Sequence, residues 1–193
     1  MVSASELILI RHAAADTKGR LCGRTDVGLA SGSEASFARL SGVLPKVAEV
    51  LVSPALRCRQ TAEALWPDAW QVTDDRLWEQ DFGDWEGQLY SDIPDMGALS
   101  RLELAALSGP GGESFSDLYA RVTPALTEAA DRVRAGETVV VVAHAGVVRA
   151  GLGLAMGDAA AGLAFQVDPL SFTRLACLPG DGFAIKTVNW SPA

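Results

Sequence analysis

The sequence predicts an α/β fold: a three-layer sandwich with a mostly parallel central sheet of about five to six strands and helices on both faces. Three observations predict it. The short apolar runs "LILI" at 7–10 and "VVVVA" at 139–143 read as strands buried on both faces. Stretches of helical period lie between the candidate strands, and that alternation gives a layered, parallel arrangement. "ESFSDLYARV" opens a helix with Ser114 and Asp117 in capping-box spacing, straight after the breaker "GPGG" at 109–112.

Taken in order, strands are expected at 7–10, 50–53, 70–73 (the weakest), 138–143, 172–178 and 184–188. Helices are expected over about 33–44, 55–65, 114–134 and 147–156, with Pro54 suited to a first helical turn. From Gly83 to Gly112 no period is clean; Pro94, Pro110 and several glycines make this stretch an excursion over one end of the sheet. No repeat, low-complexity tract or linker divides residues 1–193, so a single domain is expected.

A chain of 193 residues can build a real core, burying roughly 70% of its extended surface. With 49% hydrophobic and 21% charged residues it has the composition of a globular protein. The net charge of −8 argues against a nucleic-acid binder, which carries a basic face. It leaves room for a small anion, because a few converging arginines outweigh the global balance locally. The first apolar stretch is too short for a signal peptide, and no apolar run approaches the roughly 20 residues needed to cross a bilayer. Neither a membrane partner nor a membrane anchor is therefore expected. Cys22, Cys58 and Cys177 are odd in number and scattered, which suits reduced thiols and a cytoplasmic location. No heptad or edge-strand signal bears on oligomeric state.

In sheets of this kind, ligands bind beyond the carboxyl ends of strands. The molecule's two histidines both fall there, His12 after "LILIR" and His144 after "VVVVA". Two histidines without HxH or HxxxH spacing give little support to a metal site. Arg11 adjoins His12. Arg57 would lie one turn into the helix that follows the strand at 50–53, whose N-terminus favours an anion. Arg59 reads as a solvated face. Two arginines and two histidines around one point suit phosphoryl transfer. Guanidinium forks match phosphate oxygens, fixed cations offset the charge of the transition state, and neutral imidazole is a usable nucleophile. A proton donor for the leaving group must come from Glu79, Asp81, Asp84 or Glu86 in "LWEQDFGDWEG", and spacing alone does not choose among them.

"LIRHA", "GRTDVGL", "SPALRCRQTAE", "WEQDFGDWEG", "GGESFSDLYARV" and "VVAHAGVVRA" together resemble the histidine phosphatase superfamily, the phosphoglycerate-mutase-like fold. They occur in that family's order and span most of residues 6–150. "GRTD" and "DFGDWEG" are most similar to alpha-ribazole phosphatases, which act late in cobalamin assembly. The resemblance implies His12 as the nucleophile that becomes phosphohistidine and Arg11 and Arg57 as the phosphate clamp. It further implies that His144 bonds the transferring oxygens and that Glu79 is the acid that later activates water. It places Arg24 and Thr25 on a loop where the family contacts substrate, so that they are either substrate contacts or parts of a purely structural turn, and it implies the excursion at about 83–112 as a cover over the active site, a small phosphorylated metabolite as partner, and no metal or organic cofactor. Glu113 and Ser114 resemble a family "GES" motif, although helix capping also explains Ser114. Trp85 is either a base-stacking residue or a core one.

Two features depart from the family pattern. Ala13 stands where the family has glycine, which would cost on the order of 1 kcal/mol if that residue needed positive φ. The loop from Ala13 to Leu21 is short and lacks the family's "GET" and asparagine. The expected activity is that of a phosphomonoesterase. Alternatives are a phosphatase of another small phosphate, such as a sugar phosphate or nucleotide, or a non-catalytic phosphate sensor. No cysteine has C-x5-R spacing, and no GxxxxGK[ST] loop is present.

Overall fold

The computed structural model describes residues 6–191. Its six strands are β1 (Glu6–Arg11), β2 (Glu49–Val52), β3 (Trp70–Thr73), β4 (Val139–Ala143), β5 (Phe172–Cys177) and β6 (Phe183–Trp190). They form one sheet in the order β3-β2-β4-β1-β5-β6. β3, β2, β4 and β1 run parallel, whereas β5 pairs antiparallel with β1 and β6 antiparallel with β5. The sheet is thus mixed, with a parallel majority, as expected.

The burial pattern explains why these residues choose strands. Leu7 and Leu9 enter one apolar cluster while Ile8 and Ile10 enter the other, and Val139–Val142 divide in the same alternating way. Successive side chains of a strand point to opposite faces, so a continuous apolar run serves two cores at once. Helices α4 (Phe115–Arg134) and α5 (Ala145–Met156) cover the first face. On the other face lie α1 (Glu34–Ser41) and α2 (Leu56–Leu65). Ser114 caps α4 in a full capping box with Asp117.

Within 83–112 the chain is more regular than its composition suggests. A six-residue helix, α3 (Arg101–Ala106), forms there behind a capping box between Ser100 and Glu103. Its leucines Leu102 and Leu104 are exposed and only Ala105 is buried, so it lacks the apolar stripe that reveals a longer helix. Among the described residues no helix is long and apolar enough to cross a membrane.

Candidate active site

β2, β4 and β1 are neighbours, and their carboxyl ends bring Ser53, His144 and His12 together. The ladder carries on for one residue beyond the strands: His12 N–H donates to the Ala143 carbonyl (2.8 Å) and Ser53 N–H to the Val142 carbonyl (3.0 Å). These bonds fix where each side chain leaves the sheet. The two imidazoles meet edge to face, with centroids 5.2 Å apart and planes at 72°.

Arg57, in the first turn of α2, is 1% exposed and bonds to both. Its Nε donates to His12 Nε2 (3.3 Å) and its Nη2 to His144 Nδ1 (3.3 Å). The remaining donors reach backbone carbonyls of Gly23 (2.8 Å) and Thr25 (3.2 Å). A buried cation satisfied by carbonyls and imidazoles keeps its charge for a further anion.

These partners also settle the tautomers. His12 Nδ1 lies 2.6 Å from the Ala13 carbonyl, which can only accept, so Nδ1 holds the proton and Nε2 keeps its lone pair. Burial pushes the His12 pKa down to about 3; the charges of Arg57 and Arg11 push the same way, and the bond to Ala13 opposes them. His144 Nδ1 accepts from Arg57, so its Nε2 donates to Ser53 Oγ (2.8 Å). Burial, then His12 and Arg57, hold His144 well below the ordinary histidine value. Both rings are neutral at cell pH. His144 is fully enclosed and touches the site through Arg57 and His12.

A cavity of about 380 Å³ opens in front of His12, with Arg11, Arg57, Glu79, Tyr90 and Arg149 on its wall. Arg11 donates from Nη1 to the Val167 carbonyl (2.6 Å), while its Nε is buried without a partner. Glu79 is the carboxylate of the four candidates that faces this cavity. Its Oε2 accepts from the N–H of Gly146 (3.2 Å) in the first turn of α5. Asp81 instead accepts from Gly83 N–H, and Glu86 is committed to a loop. Among the described residues none of the ion pairs involves Arg11, Arg57 or Arg149. No group of three or more histidine, cysteine or acidic side chains among them could hold a metal.

Arg24 and Thr25 lie elsewhere. The Glu86 carboxylate accepts from the N–H groups of Gly23, Arg24 and Thr25 and from the Thr25 hydroxyl (2.7 Å). Burial favours the protonated form of Glu86, yet these donors outweigh it and hold the group below its ordinary value. The Arg24 guanidinium sits over Trp78, 5.6 Å from the ring centroid, and 3.7 Å from Glu113. Neither side chain lines the cavity in front of His12; Thr25 holds its loop through Glu86, while the Arg24 side chain rests between Trp78 and Glu113. Trp85 is half-buried and lies against Gly109, where an added Cβ would come 3.0 Å from the indole.

Glu113 grips Arg121 with two bonds of 2.7 Å, and Arg121 donates in turn to the carbonyls of Trp78 (3.0 Å) and Glu79 (3.2 Å). The pair therefore fixes the backbone that carries Glu79. Arg121, Tyr90 and Arg149 are absent from the sequence expectation. Arg149 had a visible cue, since it follows the strand-end His144 about one helical turn on, much as Arg57 follows Ser53. Ala13 is buried and is not among the residues with positive φ, so it carries no strain.

Such an architecture, with imidazoles and guanidiniums at the exits of adjacent parallel strands, defines an anion-handling α/β protein. The chain belongs to the histidine phosphatase superfamily (branch 1), whose family model matches residues 7–191. It is 33% identical over 202 residues to the bifunctional protein Rv2228c of Mycobacterium tuberculosis, covering 96% of this chain but 54% of that protein. This chain thus spans about half the length of its mycobacterial relatives. It is 29% identical to phosphoglycerate mutase-like protein 4 of Arabidopsis thaliana, covering 77% of this chain and 70% of that one. Among solved structures, TTHB049 from Thermus thermophilus is 31% identical with a TM-score of 0.69, covering 93% of this chain and 97% of that one. An Escherichia coli protein proposed to be an alpha-ribazole-5′-P phosphatase superposes with a TM-score of 0.82 at 22% identity, over 97% of each chain. That likeness speaks for the fold.

Proposed function

We propose that the chain is a phosphomonoesterase that works through a phosphohistidine on His12. The observation that carries this reading is the set of cavity arginines left without carboxylate partners beside an imidazole whose unprotonated Nε2 accepts the 3.3 Å bond from Arg57. In the first step His12 Nε2 forms a bond to phosphorus, the bond from phosphorus to the ester oxygen breaks, and Glu79 gives its proton to the leaving alcohol. In the second step Glu79 takes a proton from water, which attacks phosphorus and releases inorganic phosphate and neutral His12. Arg11 and Arg57 hold the phosphoryl oxygens, and their charge offsets what builds up in the transition state. His144 acts from behind by holding Arg57.

The partner in this reading is a small phosphorylated metabolite, and alpha-ribazole 5′-phosphate is the specific candidate. The two loop segments that resemble alpha-ribazole phosphatases hold each other through Glu86, so their likeness supports loop shape before it supports a ligand. Sugar phosphates and nucleotides are the alternatives to set against it. Ala13 lends no support to a sensor that has lost turnover, because its backbone is unstrained.

Purified protein is expected to hydrolyse p-nitrophenyl phosphate in the presence of chelator, and His12→Ala to lose that activity. Full activity in the variant defeats the nucleophile assignment. A comparison of kcat/KM across alpha-ribazole 5′-phosphate, sugar phosphates and nucleotides then tests the substrate. A preference below tenfold, about 1.4 kcal/mol, removes the alpha-ribazole assignment.

A further inference from the structure

Asn189 stands on the outermost strand, β6, yet its backbone and side chain are both set towards the active site. Its φ is +53°, uncommon for any residue but glycine. It falls where β6 carries one residue more than β5, between the pairs Phe172–Trp190 and Arg174–Thr187. A bulge of this kind re-aims a side chain, and asparagine tolerates the left-handed backbone that goes with it. Here the amide is turned onto Asp168: its Oδ1 accepts from the Asp168 N–H (2.6 Å) and its Nδ2 donates to Asp168 Oδ2 (2.8 Å).

That N–H belongs to the same planar peptide group as the Val167 carbonyl, which accepts from Arg11 Nη1 (2.6 Å). One peptide thus joins Asn189 to the phosphate clamp with a hydrogen bond at each end, and bonds in such a chain strengthen one another. Among the described residues the Arg11 guanidinium has no other hydrogen-bond partner, and its Nε is buried without one. Where it points therefore depends on how this peptide is turned. The rest of the segment has supports of its own. Leu170 N–H donates to the Arg11 carbonyl (3.1 Å), Ser171 Oγ to the Asp168 carbonyl (2.7 Å), and Arg149 Nε to the Phe165 carbonyl (3.1 Å). Loss of the Asn189 amide would leave the segment in place and free one peptide plane.

Resting on the phosphomonoesterase reading, we infer that Asn189 is a positioning residue that aims Arg11 at the phosphoryl oxygens through the peptide between Val167 and Asp168.

The test is a double-mutant cycle, read by calorimetric binding of inorganic phosphate and by kcat/KM for p-nitrophenyl phosphate. Asn189→Gly keeps the left-handed backbone without strain and removes the side chain alone. It is expected to weaken phosphate binding and lower kcat/KM by tenfold or more, and to change neither any further in Arg11→Met. No loss in the first background overturns the inference. So does an equal loss in both, which is what a merely structural asparagine would give. Exchanging the pair, Asn189→Asp together with Asp168→Asn, re-forms both bonds with the amide on the other partner and is expected to recover most of the loss. A folded exchange that recovers nothing overturns the inference as well. Where Asn189→Gly does not fold, Asn189→Asp alone, which sets two carboxylates against each other at this joint, takes its place in the cycle. Hydrolysis that Asn189→Gly leaves untouched sinks this inference and spares the phosphatase reading. Phosphate binding that follows the cycle in a protein that hydrolyses no ester sinks that reading and leaves Asn189 its part in holding the anion.

Discussion

Arg57 donates to both imidazoles of the site, reaching His12 Nε2 and His144 Nδ1 at 3.3 Å each. A ring that accepts from a guanidinium cannot carry a second proton at the same nitrogen, so folding requires both histidines to be neutral. In the unfolded chain they titrate near 6.5, whereas burial holds folded His12 at about 3. The unfolded state therefore binds more protons between those values, and stability must rise with pH across that window and level off above it. In phosphate-free buffer the urea midpoint is expected to fall as pH drops from 7 towards 4.5. His12→Gln should flatten that slope. Parallel slopes for the two proteins would show that His12 is not held neutral by the fold.

Gly146 bears on the acid through space. A Cβ there would overlap Glu79 Oε1 and crowd Leu118, and the carboxylate is the movable partner. Gly146→Ala should thus keep the fold and displace Glu79, with activity on an alkyl phosphate falling about 10²-fold, towards the level of Glu79→Gln. The first step with p-nitrophenyl phosphate should suffer much less, because nitrophenolate leaves without a proton. Pre-steady-state release of nitrophenolate separates the two, and equal losses would remove Glu79 from the acid role.

Glu86 connects the loop at 23–25 to the nucleophile. Its carboxylate collects the N–H groups of Gly23, Arg24 and Thr25, and the carbonyls of Gly23 and Thr25 in turn receive Arg57. Glu86→Gln should cost about 1–3 kcal/mol in urea unfolding, since it leaves part-buried donors unmet. It should also lower kcat/KM for p-nitrophenyl phosphate through Arg57. A loss of stability with unchanged turnover would show that the loop does not align the clamp.

Ala13 offers the opposite test. Its methyl is fully buried and its backbone needs no glycine. Ala13→Gly, which restores the family residue, should therefore lower stability by about 0.5–1 kcal/mol and bring no gain in kcat. A faster enzyme would mean that the loop after His12 is strained in the resting protein.

The parallel strands and α4 were legible because each is governed by local rules. "VVVVA" must be a two-faced strand, and "GPGG" followed by Ser114 and Asp117 must start a helix. The meeting of His12 with His144 was legible as well, since both leave neighbouring strands at the same end. The choice of Glu79 over Asp81, Asp84 and Glu86 was not. It depends on Arg121 of α4 and on Glu113 just before that helix, which pin the backbone from more than thirty residues away in sequence. The placing of Arg24 and Thr25 was hidden for the same reason, because nothing near "GRTD" shows that Glu86 returns to hold it. α3 was hidden by its brevity and exposed leucines, although Ser100 and Glu103 spelled its start.

The supports for Arg11 and Arg149 are main-chain oxygens at positions 165 and 167, and an oxygen of that kind is present whatever amino acid occupies the site. Exchanging the solvent-facing Gln166 should leave both cations where they are, whereas deleting it would swing one oxygen out of reach. Along this segment, spacing constrains the protein more tightly than spelling, and homologous chains of altered length here should set these two cations at different places on the cavity wall.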